Sequence, residues 1–447
     1  MRTPICDFVR AYAEEKPTRL HMPGHKGMAG LGCEALDITE IEGADVLYAA
    51  EGIIRQSEEN AARLFGSART LYSAEGSSLS IRAMLTLALW WGREQGRAPL
   101  VLAARNAHRV FMSAAALLDL RVTWMVPEVS QGLLSCLLTP QEVERYLAKA
   151  KEKPVAVYVT SPDYLGQMAD IAGLAEVCHR HGVLLLVDNA HGAYLKFLPK
   201  SLHPLDLGAD LCCDSAHKTL PALTGAGYLH IAKGAPALLA EQAERAMALF
   251  ASTSPSYLIL QALDALNPRL EAELPTAFFR AAQRADALKR HLTERGYALL
   301  GGEPMKLTVC PKAYGYTGTE LAAVLREQGI VCEFDDAEHT VMMLSPFLGE
   351  DVWERLERLL VSLERKKPIV QAPPPLPKGE AVLSIREAML CPSEELPVEA
   401  CVGRILSDAA VSCPPAVPVA ICGERLGEDT VRCFRYYGIL RCRVVKE

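Results

Sequence analysis

Residues 154–188 have the sequence PVAVYVTSPDYLGQMADIAGLAEVCHRHGVLLLVD and show the clearest periodicity in the chain. Two apolar runs, at residues 154–160 and 183–188, flank an amphipathic pattern at residues 171–180. This order predicts a strand, a helix and a second strand. Because two strands joined by a helix pair in parallel, the segment predicts an α/β domain with a mostly parallel sheet.

The same alternation extends to both sides of this segment. Thr139 and Glu142 flank a proline at the first helical position and predict a capping box. Further apolar patterns predict strands at residues 99–103, 121–126, 209–213, 306–309 and 341–345, and helices at residues 107–118 and 257–266. The helices beyond about residue 255 are rich in Ala, Leu, Glu and Arg, which indicates a second, smaller α+β domain.

The charge and the apolar runs argue against several classes of protein. The formal net charge is −7, the pI is about 5.9, and no block of Lys and Arg indicates a nucleic-acid partner. The longest apolar run, residues 83–91, is too short to cross a bilayer, and the first residues lack a signal peptide's apolar stretch. We therefore expect a cytoplasmic protein with no nucleic-acid or membrane partner.

Changes in composition predict five parts of the chain. They are an N-terminal segment (1–50), a large α/β domain (51–255), a small α+β domain (256–365), a proline-rich linker (366–378) and a C-terminal module (379–447). The linker contains PIVQAPPPLP, whose prolines favour an extended chain. The module holds six of the 14 cysteines. Since no C-x-x-C pair occurs, the cysteines are predicted to be reduced thiols, and no metal site is predicted.

Two charged residues, Asp188 and Lys218, stand where a ligand would be expected. In doubly wound sheets, ligands collect at the carboxyl ends of the strands, and each residue follows a predicted strand. A carboxylate that pairs with a pyridinium nitrogen and a lysine that forms a Schiff base are the two features that a pyridoxal phosphate site requires. Taken singly, a helix-capping aspartate and a surface lysine would be the simpler interpretation.

The neighbours of these two residues strengthen the prediction. Asp188 is followed by Asn189-Ala190-His191-Gly192, which leaves room for a flat ring and offers a hydrogen bond near it. Gly76-Ser77-Ser78 precedes the apolar helical pattern LSIRAMLTLALWW, so its N–H groups and hydroxyls could hold a phosphate at a helix N-terminus. A simple helix cap is the alternative interpretation of that turn.

At this point the sequence resembles the pyridoxal phosphate-dependent ornithine/lysine/arginine decarboxylases, in the short form without an N-terminal wing domain. The shared segments occur in the family's order: HMPGHKG (21–27), DITEIEGADVL (37–47), EGII (51–54), FGSARTLYSAEGSS (65–78), ARNAHRV (104–110), TSPDYLGQMADI (160–171), VDNAHGAYL (187–195), DSAHKTLPALTGAGYLH (214–230) and STSPSYLILQALD (252–264). The resemblance implies pyridoxal phosphate fold type I, similar to aspartate aminotransferase, with the cofactor in the large domain.

The resemblance also assigns roles to single residues. It implies that Lys218 carries the Schiff base, that Asp188 meets the pyridine nitrogen and that His108 stacks on the cofactor ring. His191 is expected near the ring edge or near the oxygen beside the Schiff base. The resemblance implies that Ser77, Ser78, Ser215 and His217 contact the phosphate, and Gly76 is expected to contact it through the turn described above. Without the resemblance, His108 would be interpreted as a core histidine.

The segment STSPSY, residues 252–257, resembles a piece that family members contribute across a dimer interface to the partner's cofactor phosphate. The resemblance thus assigns Ser252 and Ser254 to the cofactor and implies a homodimer or higher homo-oligomer with shared active sites. A loop before a helix that begins at Tyr257 is a compatible, simpler interpretation.

Two further regions concern the substrate. Residues 329–333, GIVCE, resemble the family segment in which a glutamate meets the distal cation of the substrate, so Glu333 is predicted there. A solvated glutamate at a strand end is the alternative. The C-terminal module departs from the family, because a stretch resembling Y-P-P-G-I-P appears as CPPAVP at residues 413–418 and Cys422 replaces a proline.

The resemblance implies a lyase that decarboxylates arginine, lysine or ornithine to the corresponding amine and CO2, as in polyamine biosynthesis. One alternative is another fold type I reaction, such as transamination, aldol cleavage or elimination, because fold and cofactor do not fix the reaction. Another is a non-catalytic cofactor-binding paralogue, against which the intact set of Lys218, Asp188 and His108 argues. The sequence leaves open which basic amino acid is used and which group protonates Cα.

Overall fold

The structure is a computed structural model that describes residues 1–28, 30–129, 132–408 and 416–447. Residues 413–415 of the divergent family stretch therefore lie outside the described residues. The helices are α1 Pro4–Glu15, α2 Ile53–Phe65, α3 Gly76–Glu94, α4 Arg109–Leu118, α5 Pro140–Lys149, α6 Ile171–Arg180, α7 Ala216–Thr219, α8 Ala237–Glu241, α9 Ala243–Ala248, α10 Tyr257–Ala272, α11 Leu274–Glu294, α12 Gly318–Glu327, α13 Glu350–Ser362, α14 Ile385–Leu390 and α15 Glu428–Tyr436.

The strands form one large sheet and several smaller ones. They are β1 Arg69–Ser73, β2 Leu100–Ala104, β3 Arg121–Met125, β4 Ala156–Thr160, β5 Leu184–Asp188, β6 Leu211–Asp214, β7 Gly227–Ile231, β8 Ala298–Leu300, β9 Lys306–Cys310, β10 Phe334–Asp335, β11 Thr340–Met343, β12 Glu380–Ala381, β13 Ser393–Pro397, β14 Glu424–Arg425 and β15 Arg441–Val445. Short 3₁₀ helices occur at Ala193–Phe197, Pro204–Leu207, Pro311–Tyr314 and Val398–Cys401.

The large sheet has the strand order β1-β7-β6-β5-β4-β2-β3 in the part of the chain that is described. β5 and β6 pair in parallel, with Asp188 opposite Cys213, whereas β7 is antiparallel to both β6 and β1. Every residue of β5 and β7 is buried, which explains the apolar run LLLV that leads to Asp188 in β5. The predicted α/β fold with a mostly parallel sheet is confirmed.

Local signals account for the helix starts. The predicted capping box is present, since the Thr139 N–H donates to Glu142 Oε2 (2.7 Å) and the Glu142 N–H donates to Thr139 Oγ1 (3.2 Å). α4 begins at Arg109, two residues later than predicted, because His108 is its N-cap and accepts a hydrogen bond from the Val110 N–H. Side-chain caps of this kind satisfy N–H groups that a helix leaves unpaired.

The described chain forms two compact units, which are not consecutive in sequence. Unit 1 comprises Met1–Leu100, Leu147–Val159 and Asp170–Thr276, and unit 2 comprises Val101–Tyr146, Thr160–Ala169 and Ala277–Glu447. The five parts predicted from composition stay a prediction. None of the helices in the described residues is both long and apolar enough to span a bilayer.

In unit 1, the antiparallel strand β7 places the N-terminus of α3 beside the carboxyl end of β6. Asp214, the last residue of β6, lies opposite Tyr228 near the start of β7. The Gly76 N–H, at the start of α3, donates to the carbonyl of Gly225 just before β7 (2.6 Å). The carboxyl end of β6 and the N-terminus of α3 therefore come together within unit 1.

Unit 2 contains the antiparallel sheet β10-β11-β9-β8 and the paired strands β12-β14 and β13-β15. Its core joins residues of the small sheet and of the C-terminal segment, because Leu165, Val341, Val398, Phe434 and Val444 belong to one buried apolar cluster. The C-terminal segment therefore shares a core with the rest of unit 2.

Candidate active site

Asp188 is the last residue of β5 and is 3% exposed. Its Oδ2 accepts a hydrogen bond from the Tyr158 hydroxyl (3.1 Å), and its Oδ1 accepts one from the Ala190 N–H (3.2 Å). Burial raises the pKa of Tyr158, and the neighbouring carboxylate raises it further, so the hydroxyl remains protonated and can donate. The structure thus holds a buried carboxylate in a fixed orientation at the predicted end of the sheet.

Lys218 lies in α7, directly after β6, and its side chain reaches solvent. Its Nζ is 3.3 Å from Nε2 of His191, which stands in the turn after β5 and is 6% exposed. An amine and an imidazole at this distance can share a proton. The structure therefore brings Lys218 and His191 together in unit 1, each beside the carboxyl end of a strand.

The N-terminus of α3 gathers several of the predicted phosphate contacts. The Ser215 hydroxyl donates to Ser77 Oγ (2.9 Å), and the side chain of the N-cap residue Glu75 makes no capping hydrogen bond. Gly76 has a φ of +63°, and a Cβ there would lie 3.4 Å from Cε1 of His217. Two hydroxyls and the N-terminus of a helix thus lie near His217. The Gly76 N–H is bound to the Gly225 carbonyl, so the N–H groups that follow it are the ones that favour an anion.

The predicted contact of His217 with the phosphate stays a prediction, and one ring nitrogen already has a partner within the chain. Its Nδ1 lies 2.8 Å from the carbonyl oxygen of Ala226, to which an Nδ1–H would donate. Burial lowers the pKa of this imidazole, and the charge of Lys218 lowers it further. With Nδ1–H directed at the Ala226 carbonyl, a hydrogen bond from Nε2 to a phosphate would require a second proton on the ring, which a phosphate anion would itself favour. Ser78 lies in the first turn of α3 and is partly exposed.

Ser252 and Ser254 are exposed and stand near α3 of the same chain. The Ser252 N–H donates to Oε1 of Glu75 (2.8 Å), and the Ser254 N–H donates to Ser252 Oγ (3.1 Å). Within one chain, this segment therefore contacts the residue that caps α3. Its predicted role across a dimer interface stays a prediction.

His108 belongs to unit 2, where residues of the C-terminal segment hold its surroundings. The Arg105 guanidinium donates to the carbonyls of Pro418 and Val419 (both 2.8 Å), and the Arg109 N–H donates to that of Ala416 (2.9 Å). These bonds fix the chain on both sides of His108. The predicted stacking of His108 on the cofactor ring stays a prediction.

Glu333 directly precedes β10 in unit 2 and is exposed. Its Oε1 accepts a hydrogen bond from the Tyr164 hydroxyl (2.8 Å). It borders a cavity of about 480 Å³ whose other polar side chains include Asp335, Asp336 and Tyr437. The cavity is acidic and aromatic, as a site for an organic cation would be, and the substrate role of Glu333 stays a prediction.

The roles of several other residues of the site are not evident from the sequence and appear only in the structure. Tyr158 stands inside an apolar strand, where a lone tyrosine is normally a core residue, and only its hydrogen bond to Asp188 reveals a role. Asn189 and Asp214 lie in the segments VDNAHGAYL and DSAHKTLPALTGAGYLH, but nothing in those segments predicts a function for them. His203 and His230 meet Asp214 only because the fold brings them there.

The side chains of unit 1 fit pyridoxal phosphate. They supply a buried carboxylate for a protonated ring nitrogen, an amine for the aldehyde and a helix N-terminus with hydroxyls for the phosphate. Next to the lysine, the buried Oγ1 of Thr219 has no hydrogen-bond partner among the described residues. A polar group bound beside Lys218 is one way to satisfy such an atom.

Comparisons with known proteins point to one family. The family model described as "Orn/Lys/Arg decarboxylase, major domain" matches residues 3–294, which is more than half of the chain. An arginine decarboxylase of Halalkalibacterium halodurans is 29% identical, over 97% of this chain and 93% of its own. An arginine decarboxylase of Bacillus subtilis is 27% identical, over 96% of this chain and 92% of its own.

Solved structures agree on the fold. The lysine decarboxylase of Francisella novicida superposes with a TM-score of 0.82 at 16% identity, covering 99% of this chain and 81% of that one. The predicted pyridoxal phosphate fold type I is thereby confirmed. The chain belongs to the Orn/Lys/Arg decarboxylase family and is, as its sequence predicted, a pyridoxal phosphate-dependent amino acid decarboxylase.

Proposed function

We propose that the protein decarboxylates a basic amino acid to the corresponding amine and CO2, and that arginine is the preferred substrate. The observation that carries the proposal is the pair of neighbouring strand ends in unit 1. The buried carboxylate of Asp188 lies at one of them, and Lys218 Nζ lies 3.3 Å from His191 Nε2 beside them. Arginine is favoured over lysine and ornithine because the two relatives described above, which match nearly the whole chain, are named arginine decarboxylases.

Pyridoxal phosphate, when bound, supplies a ring that accepts the electron pair left by the departing carboxyl group. Asp188 would hold the proton on the ring nitrogen, since a buried carboxylate with fixed partners attracts a positive charge strongly. Tyr158 keeps that carboxylate oriented. Lys218 Nζ would hold the cofactor covalently and give way to the amino group of the substrate.

His191 is the group best placed to move protons at Lys218. Its Nε2 can accept a proton from the lysine amine or return one, because the two nitrogens are within hydrogen-bond reach. The N-terminus of α3, with Ser77 and Ser215, would bind the phosphate by N–H and O–H donation. These assignments give Asp188, Lys218, His191, Ser77 and Ser215 each a specific atom on which to act.

Substrate choice would rest on charge. A carboxylate beside a guanidinium or an ammonium group favours cationic side chains over neutral ones. Glu333 is the carboxylate proposed for this role. Its hydrogen bond from Tyr164 would orient one oxygen and leave the other for the substrate.

A product screen tests the proposal. Purified protein with added pyridoxal phosphate is incubated with arginine, lysine, ornithine, alanine or leucine, and amines are measured by chromatography. We expect agmatine from arginine, less cadaverine and putrescine, and no amine from the neutral amino acids. Transfer of the amino group to a 2-oxo acid without amine formation would contradict the proposal and favour an aminotransferase.

A further inference from the structure

A second buried carboxylate, Asp214, stands at the end of β6 in unit 1. It is fully buried, and so are the three side chains that contact it: His203, His230 and Asn189. Nε2 of each histidine lies 3.1 Å from Asp214 Oδ2, and Nδ2 of Asn189 donates to Oδ1 (2.6 Å). A buried carboxylate is tolerated only when groups of this kind compensate its lost hydration.

The hydrogen bonds on the far side of each imidazole indicate where its proton lies. The Leu205 N–H points at Nδ1 of His203 (3.4 Å), which leaves the proton of a neutral ring on Nε2, facing Asp214. Nδ1 of His230 lies 2.8 Å from the Thr70 hydroxyl, which can donate to it. Burial lowers the pKa of His230, which keeps that ring neutral.

Asp214 itself remains ionised. Burial alone would raise the pKa of Asp214, but His203 and His230 lower it by more, and the net effect is a pKa below the usual range. Three N–H donors therefore converge on one carboxylate. Hydrogen bonds to an ionised acceptor are about twice as strong as neutral ones, so this cluster is a rigid point of the fold.

The cluster joins the two turns that carry the proposed chemistry. Asn189 directly follows Asp188 and shares its turn with His191, whereas Asp214 directly precedes the segment that contains Lys218. Besides the side-chain bond, the Asn189 N–H donates to the carbonyl of Cys213 (3.0 Å). The hydrogen bond between Asn189 and Asp214 therefore spans the two turns at their bases.

We infer that Asp214 is a positioning residue that sets the distance between the Asp188 carboxylate and the Lys218 amine by holding Asn189. The inference rests on the proposed function, in which those two groups hold opposite ends of one cofactor. Asp214 acts only through its neighbours, because it is fully buried. A cofactor anchored at both ends tolerates little change in their spacing.

The same three side chains, His203, Asp214 and His230, have the composition of a metal site. Their contacts argue for hydrogen bonds instead, because each Nε2 points its proton at Asp214 and each Nδ1 has a partner. Metal coordination would require both Nε2 atoms to be deprotonated and facing the ion. Elemental analysis of the purified holoenzyme distinguishes the two, and a stoichiometric metal would overturn the inference.

The main test compares Asp214→Asn with a matched control, Asp210→Asn. Asp210 is also a buried aspartate, stands before the opposite end of β6, and binds the Leu185 N–H (2.7 Å) and His179 (3.2 Å). We expect Asp214→Asn to raise the Kd for pyridoxal phosphate by about tenfold and to shift the absorbance band of the bound cofactor. Asp210→Asn should lower Tm while leaving both readouts unchanged.

Asn189→Ala provides a second, milder variant, since it removes the side-chain link, keeps the backbone bond to Cys213 and leaves the buried charge with its two histidines. It should raise the Kd by about threefold or more even if Asp214→Asn fails to fold. In the double variant Asn189→Ala/Asp214→Asn, the increase should not exceed that of the larger single change, because both remove one link.

Two results would overturn the inference while the proposed function stands. One is an unchanged Kd and band in both single variants. The other is full additivity in the double variant, which would indicate two independent structural effects. Conversely, a wild-type protein that binds the cofactor but decarboxylates no amino acid would refute the proposed function without altering these binding results.

Discussion

The buried carboxylate Asp188 and the exposed carboxylate Glu333 show two ways of placing a negative charge. Asp188 ends a fully buried strand, is 3% exposed and is held by a tyrosine hydroxyl and a backbone N–H. Glu333 stands before a two-residue strand, is exposed, and is bound by the hydroxyl of Tyr164. The first charge acts in a medium of low polarity, and the second is screened by water.

The difference in burial matches the proposed roles of the two carboxylates, Asp188 at the cofactor ring and Glu333 at the substrate side chain. A group that stabilises charge during the reaction must be in place beforehand, because reorganising it would cost energy at the moment of reaction. Strand ends in a buried sheet provide that rigidity. Recognition of a long, flexible cationic side chain requires less precision, and an exposed loop carboxylate can adapt to arginine, lysine or ornithine. Substitutions at the buried residues should therefore cost more activity than substitutions at Glu333.

The largest effect is expected for Lys218→Ala. Without the amine, the cofactor has no covalent attachment, so the absorbance band should disappear and turnover should fall to background. Absorbance spectra and borohydride reduction followed by peptide mass analysis measure this. Lys233→Ala, at an exposed lysine of the same unit, is the control and should behave like the wild type. A borohydride-stable cofactor adduct that persists in Lys218→Ala would contradict the assignment.

Asp188→Asn should retain the cofactor and lose activity on the order of 100-fold in kcat. An amide keeps the shape of the side chain but cannot hold a proton on the ring nitrogen by charge. Steady-state kinetics together with a cofactor titration separate the two effects. Wild-type turnover in this variant would show that Asp188 is not the partner of the ring.

Tyr158→Phe tests the orientation of the buried carboxylate without removing it. Loss of one hydrogen bond to Asp188 should lower kcat by about three- to tenfold, with little change in KM. Tyr72→Phe is the matched control, because Tyr72 is also fully buried in unit 1 but its hydroxyl contacts Ser57 and Asn267. If both variants lost the same activity, the effect would be one of stability and not of orientation.

The smallest effect is expected for Glu333→Gln. Exposed charge pairs contribute about 0.2–1 kcal/mol, so kcat/KM for basic amino acids should fall by about 1.4- to fivefold, while the cofactor band stays unchanged. Arginine, lysine and ornithine measured side by side show which chain length places its cation at this residue. Asp335→Asn, in the same cavity, is the control. A loss of about 30-fold or more would indicate a desolvated charge pair and remove the contrast with Asp188.

The sequence predicts the parts of the fold whose signals are local. β4 and β5 were predictable because buried strands have continuous apolar sequences, and the start of α5 was predictable from Thr139 and Glu142. The start of α4 was predicted two residues early, because a histidine cap is not among the usual cap residues. Boundaries of this kind depend on a single side-chain hydrogen bond.

Some residues of the candidate site can likewise be predicted from local sequence, and others cannot. Asp188, His191 and Lys218 could be proposed from sequence because Asp188 ends an apolar strand, and His191 and Lys218 stand shortly after a strand end. The Asp214 cluster could not be, since His203 and His230 come from separate segments and a histidine in a strand pattern is normally a core residue. The pairing of Tyr164 with Glu333 joins residues 169 positions apart, a contact that no local pattern contains.

The central claim is that Lys218 carries a cofactor that removes the carboxyl group of a basic amino acid. Release of labelled CO2 from carboxyl-labelled arginine, measured for the wild type and for Lys218→Ala with equal amounts of pyridoxal phosphate, tests it most directly. The account predicts release that is stoichiometric with agmatine in the wild type and background release in the variant. Equal release by both proteins, or consumption of arginine without labelled CO2, would contradict it.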